Sequence, residues 1–244
     1  MKRTAWIATA LLLTSRVALA APSWSVVSFT TTPQNAPKIL AAADKLMSSG
    51  VGKQFPGKLL LQVHLADGNN PSTHSFVPIY KTAAEREAFA QKMQADRAWS
   101  EFLAVMVKES QPVSTVWYKT LKSWGDLADS DRVWEGHAFK VNDPAAFLAA
   151  LEKFMASETG KKFPGQVYLS GVVAGGLSPV THMISVGFAS ETEMDAWDDA
   201  RSPSADWATY LGEVRKVSEY LGNELARDLK SWGPATLKGI SSAP

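Results

Sequence analysis

The 244-residue chain has no cysteine, so neither a disulfide nor a thiolate metal site can staple it, and packing must hold the fold together. It also lacks a strong charge bias, with 25 basic and 24 acidic residues and no polybasic run, which argues against nucleic acid or an anionic membrane surface as the main partner. Its one marked apolar run, Trp6 to Leu13, is far shorter than the roughly 20 residues a spanning helix needs, so no membrane span is expected. Histidine is scarce: His64, His74, His137 and His182 are the whole set. No His-x-His, HExxH, Cys-x-x-Cys-His, Gly-x-Ser-x-Gly, P-loop or dinucleotide fingerprint occurs, so no metal and no cofactor is expected from motifs.

What is present begins with an export pattern. Lys2 and Arg3 open a basic start, the apolar run follows, and Ala18-Leu19-Ala20 supplies a small-residue cleavage site. Residues 1–20 are therefore expected to be a signal peptide cleaved after Ala20, which makes the protein periplasmic or secreted. Loss of Lys2, Arg3 and Arg16 leaves 22 basic against 24 acidic residues.

The remaining sequence repeats. Gly52-Lys53-Gln54-Phe55-Pro56-Gly57 returns as Gly160-Lys161-Lys162-Phe163-Pro164-Gly165, and Leu121-Lys122-Ser123-Trp124-Gly125 returns as Leu229-Lys230-Ser231-Trp232-Gly233, both 108 positions later. Between Gly52 and His74, 11 of 23 positions are identical at that offset, and the offset is expected to hold without insertion. The expected units are residues 21–125 and 133–233, joined by a polar linker at 126–132 and followed by a loose tail at 234–244. Each unit reads as β-α-β-β-α-β. Trp24 to Thr30 alternates as a strand; a helix starts at Asn35 in one copy and Asp143 in the other; Leu59 to Leu65 and His74 to Tyr80 form a hairpin; a helical stretch from Ala83 to Lys108 is broken midway; and Val113 to Leu121 closes the unit. Asn223 to Lys230 favours helix by propensity but is read as strand, after its counterpart.

A pair of such units, each with a split second helix and a last strand ending in Trp-Gly, resembles the dimeric α+β barrel superfamily, of ferredoxin-like topology. The resemblance implies an α+β fold in which the two tandem units form an intramolecular pseudo-dimeric barrel: a monomer with an internal pseudo-two-fold axis, open to further assembly. Relatives of this kind include cofactor-independent quinone-forming monooxygenases, small-lactone isomerases, polyketide cyclases and haem enzymes such as chlorite dismutase. The resemblance thus leaves haem open, and fold alone does not choose a reaction.

The duplication retains few chemistry-bearing residues. His74 and His182 are the histidine pair retained at the 108 offset, candidates for a general base, with the alternative that each ring braces its turn. Trp99 and Trp207 are retained too, either as core or as the wall of a cleft for a small apolar or aromatic ligand. Phe76 and Tyr80 share a strand face with His74, and Ile184 and Phe188 share one with His182, so these four are further wall candidates. Arg97, with Tyr80 or Asp96, is the candidate partner for a catalytic histidine, and the first unit is expected to dominate. His64 and His137, set against Val172 and Phe29 by the offset, read as surface or packing variation, and Asp195, Asp198 and Asp199 as a solvated face. The functional expectation is a protein that binds a small apolar or aromatic molecule. The alternatives are a cofactor-independent oxygenase or isomerase using a pocket histidine, and an interaction module without ligand.

Overall fold

The computed structural model describes residues 22–125, 127–175 and 179–237. The expected signal peptide lies outside the described residues. Among the described residues no helix is long and apolar enough to cross a membrane.

The first unit comprises β1 (Ser23–Thr31), α1 (Ala36–Ser48), β2 (Lys58–Ala66), β3 (His74–Tyr80), α2 (Ala83–Gln94), α3 (Arg97–Glu109) and β4 (Ser110–Trp124). After the short β5 (Leu127–Ala128), the second unit follows as β6 (Val133–Val141), α4 (Pro144–Met155), β7 (Gln166–Ala174), β8 (His182–Phe188), α5 (Glu191–Arg201), α6 (Ala205–Val217) and β9 (Ser218–Trp232), and β10 (Thr236–Leu237) comes last. The eight long strands close into one barrel in the order β1-β3-β2-β9-β6-β8-β7-β4, every neighbour antiparallel. Within each unit the order is that of a ferredoxin-like sheet. The units are joined twice, by β2 to β9 and by β4 to β7, as a pseudo-two-fold axis requires. The fold is therefore a tandem, pseudo-dimeric α+β barrel.

Local chemistry sets the boundaries. Thr82 and Ser190 cap α2 and α5, accepting from the N–H groups of Glu85 and Glu193. The second helix breaks in both copies because Asp96 and Ser204 each cap a new helix, so the proline at position 203 is not needed for the break. The Gly-Lys-x-Phe-Pro-Gly motif is forced by backbone contact: a Cβ on Gly52 or Gly160 would lie 2.0 Å from the carbonyl oxygen of Leu46 or Phe154, and one on Gly57 or Gly165 would lie 1.9 Å from that of Ile79 or Gly187.

The duplication departs from the expected uniform offset at its start. Thr73 N–H donates to the Phe29 carbonyl at 3.0 Å, and Thr181 N–H to the Phe139 carbonyl at 2.9 Å. Phe139, not His137, is thus the counterpart of Phe29, and the first strands are related by 110 positions while the rest keep 108. The two additional residues lie between β1 and α1. There the Asn35 and Ala36 N–H groups both donate to Thr32 O, which leaves Asn35 in a helical conformation with no side-chain cap, whereas Asp143 caps Ala146 at 3.0 Å.

The stretches beyond each Trp-Gly also differ from expectation. Residues 127–128 and 236–237, read as linker and loose tail, pair as β5 and β10. Leu127 and Leu237 are 1% and 2% exposed and pack with Tyr168, closing one end of the barrel. Lys58, buried there, binds Asp129 and the carbonyls of Pro234 and Ala235. Burying two leucines and satisfying that cation is what orders the segment.

By strand alternation, one sheet face points into the barrel and the other toward the helices. The lumen carries Trp24 stacked on Tyr118, with ring centroids 4.3 Å apart, and a polar set including Gln62, His64, Ser75 and Asp228. The helices cover the outer face in two separate apolar cores, one per unit.

Candidate active site in the second unit

Between helices and sheet, each unit holds a cavity, of about 520 Å³ in the first and about 500 Å³ in the second. Their aromatic walls correspond: Trp99, Phe102 and Phe89 in one, Trp207, Tyr210 and Trp197 in the other. Their polar content does not. The second cavity is lined by Glu135, His137, Arg201, Arg215 and Asn223, and the counterparts of these are Ser25, Val27, Met93, Val107 and Thr115.

Glu135 and His137 are two apart on β6, so alternation puts both on the helix-facing side. His137 Nε2 lies 3.3 Å from Glu135 Oε2, and the amide of Asn223 on β9 donates to Glu135 Oε1 at 2.8 Å. Burial alone would raise the Glu135 pKa; the hydrogen bond and charge of His137, the Asn223 amide and the Arg201 charge outweigh it and hold the carboxyl below its ordinary value. Glu135 is therefore an anion near neutrality. With the Nε2 hydrogen on that carboxylate, His137 keeps its lone pair on Nδ1, the arrangement of a general base backed by a carboxylate.

Arg201 ends α5. Asp198 accepts from its Nε at 2.7 Å, and its guanidinium lies 4.2 Å from the Trp207 ring centroid, so a cation stands at the aromatic wall, oriented and mostly covered. Asp198, expected on a solvated face, has this positioning role. Tyr220 on β9 lies 6.1 Å from the His137 ring, and burial together with Glu135 raises its pKa despite Arg201. The Tyr210 phenol is raised by burial, so both stay neutral donors.

The residues nominated by the sequence divide. Trp99, Phe76 and Tyr80 line the first cavity, and Trp207, Ile184 and Phe188 line the second. His74 and His182 line neither. Each points Nδ1 at the hydroxyl of the preceding threonine at 2.9 Å, and those threonines accept from the N–H of Thr31 and Val141, which fastens the hairpin to the first strand. Both have pKa values lowered by burial, His74 by His64 as well. Arg97 is 91% exposed and paired with Glu101, so it joins no pocket. His64 sits in the lumen between Asp67 and Ser75. The ionisable cluster thus lies in the second unit, on a histidine that the uniform offset had set aside.

Among the described residues no group of three or more His, Cys, Asp or Glu side chains could hold a metal ion. A haem would need an imidazole nitrogen standing clear toward a cavity. His137 is the histidine on a cavity wall, and its Nε2 is engaged by Glu135. Glu135 leaves Nδ1 clear, and a histidine whose other nitrogen is held by a carboxylate can ligate iron as well as move a proton, so haem stays open.

Solved structures share this fold. One described as a putative monooxygenase from Lactobacillus acidophilus NCFM superposes with a TM-score of 0.62 at 13% identity, covering 89% of this chain and 98% of that one. A second, also described as a putative monooxygenase, from Fusobacterium nucleatum subsp. nucleatum ATCC 25586, gives 0.60 at 13% identity with 89% and 97% covered. An anthrone oxidase-like protein gives 0.55 at 10% identity with 91% and 96% covered. These neighbours share the α+β barrel fold of this chain. In sequence it matches no protein-family profile and no curated protein.

Proposed function

We propose that this protein is an exported enzyme that binds a small aromatic compound carrying an anionic group in the second-unit cavity and moves a proton on it. The observation that carries the reading is the His137–Glu135 contact inside an aromatic cavity that also holds Arg201. His137 takes a proton from an enolisable C–H or a phenolic O–H at Nδ1, and Glu135 stabilises the imidazolium. The electron pair stays on the substrate as an enolate or phenolate, which the nearby cations favour. Return of the proton to a different carbon is isomerisation; attack of the carbanion on dioxygen is the oxygenase branch. Export rests on residues 1–20.

A 2-tetralone carboxylated on its aromatic ring serves as probe. In deuterated water the protein should exchange the acidic C–H of the probe, read by NMR, and His137→Gln should abolish exchange while calorimetry still detects binding. Oxygen uptake separates the two branches. Exchange undiminished in His137→Gln would remove the base from this residue, and binding without exchange by the wild type would make the protein a carrier.

A further inference from the structure

We infer that the first unit holds a second, separate ligand site, specific for an uncharged and largely hydrocarbon molecule. The inference stands whether or not the second unit is catalytic. Interiors pack densely enough that voids larger than a few waters are rare, so an apolar-walled cavity of about 520 Å³ has the size of a ligand pocket, with room for roughly two to four fused rings. Duplication has preserved its volume and its aromatic wall, yet every ionisable position of the second cavity is neutral here. His137 gives way to Val27, Arg201 to Met93 and Arg215 to Val107, and no charged side chain lines the space.

What polar groups remain are hydroxyls. Burial pushes the Tyr80 phenol to about 12, so it stays a neutral donor at any physiological pH. An anion or ammonium group would enter without a counter-charge and lose its hydration, which selects against it. The rim has the same character: Val107, 83% exposed, and Leu103, 40% exposed, present an apolar lip to solvent where the second unit places Arg215 and Leu211. Ala43 stands where the second cavity has Leu151, which deepens the first pocket on the α1 side.

Two substitutions that borrow from the second unit test this with its architecture intact. Met93→Arg introduces the missing charge, and Ala43→Leu takes up space without charge. The neutral fluorophore N-phenyl-1-naphthylamine should bind wild-type protein saturably, one per chain, and 1-naphthoate should not displace it. Each variant should lower that affinity roughly tenfold or more with an unshifted melting temperature, and His137→Gln should leave it unchanged. If Met93→Arg does not fold, Ala43→Leu carries the test alone. Absence of saturable binding, displacement by 1-naphthoate, or wild-type affinity in a folded Ala43→Leu protein would overturn the assignment. None of these readings depends on the exchange assay, so this site and the catalytic reading fail separately.

Discussion

Replacing Asp228 with asparagine should stabilise the protein at neutral pH and leave it nearly unchanged in acid. Asp228 faces the lumen from β9, where its carboxylate accepts from Gln62 Nε2 at 2.9 Å and from Trp134 Nε1 at 3.3 Å. Burial pushes its pKa from 3.8 up to about 6, although those two hydrogen bonds and the charges of Arg132 and Lys58 pull the other way. When an acid is raised on folding, the native state keeps a proton that the unfolded chain has already released. Stability from this group is therefore intact below the unfolded value and declines as pH rises toward the folded one. At about 1.36 kcal/mol per pH unit, the gap amounts to about 3 kcal/mol lost once pH exceeds about 6. Asparagine matches the neutral carboxyl in shape and has nothing to ionise. Urea unfolding of both proteins between about pH 4 and about pH 8, read as a difference so that other titrating groups cancel, should give near parity at the acid end and about 3 kcal/mol in favour of Asp228→Asn at neutrality. A difference that stays constant across the range would refute the burial argument.

Two further outcomes probe the parts that hold the barrel. Lys58→Met should cost about 2 kcal/mol in thermal or urea unfolding and expose the C-terminal segment to protease, because Lys58 is 2% exposed and binds Asp129 and two carbonyls of that segment; the figure falls below the roughly 3–5 of a fully buried pair because Asp129 remains 40% exposed. Gly160→Ala should cost about 2–3 kcal/mol by the same measurement, since its Cβ would sit 2.0 Å from the Phe154 carbonyl oxygen and the turn must shift to admit it.

The architecture was legible because the repeated motifs are the ones that geometry enforces. A Cβ at position 52, 57, 160 or 165 would lie 1.9–2.0 Å from a backbone oxygen, so neither copy could drift there, and the period of 108 stood out. The slip at the first strand was hidden for an equally physical reason. A displacement of two residues preserves a strand's in-and-out alternation, so both registers look alike until hydrogen bonds are assigned. In the true register Trp24 falls on Trp134, a retained pair of lumen tryptophans that the uniform offset concealed. The pairing of β5 with β10 was equally hidden, since a two-residue strand is too short to carry any periodicity.

Retention across the duplication is a mark of folding before it is a mark of function. Residues kept in both copies are those both copies need in order to fold, and His74 and His182 are of that kind: each ties a threonine that in turn fastens the first strand. Once one chain supplies both halves of the barrel, a single cavity is enough for a reaction, and the other is free to lose its charges. Function should then lie where the walls diverge. Glu135-x-His137 was visible as a same-face pair on a strand, and Arg201 against Met93 was visible as a charge present in one copy alone. The structure adds what no spacing contains: β6, α5 and β9 converge, so that Glu135, His137, Arg201 and Asn223 line one cavity while Ser25, Val27, Met93 and Thr115 leave the other without charge.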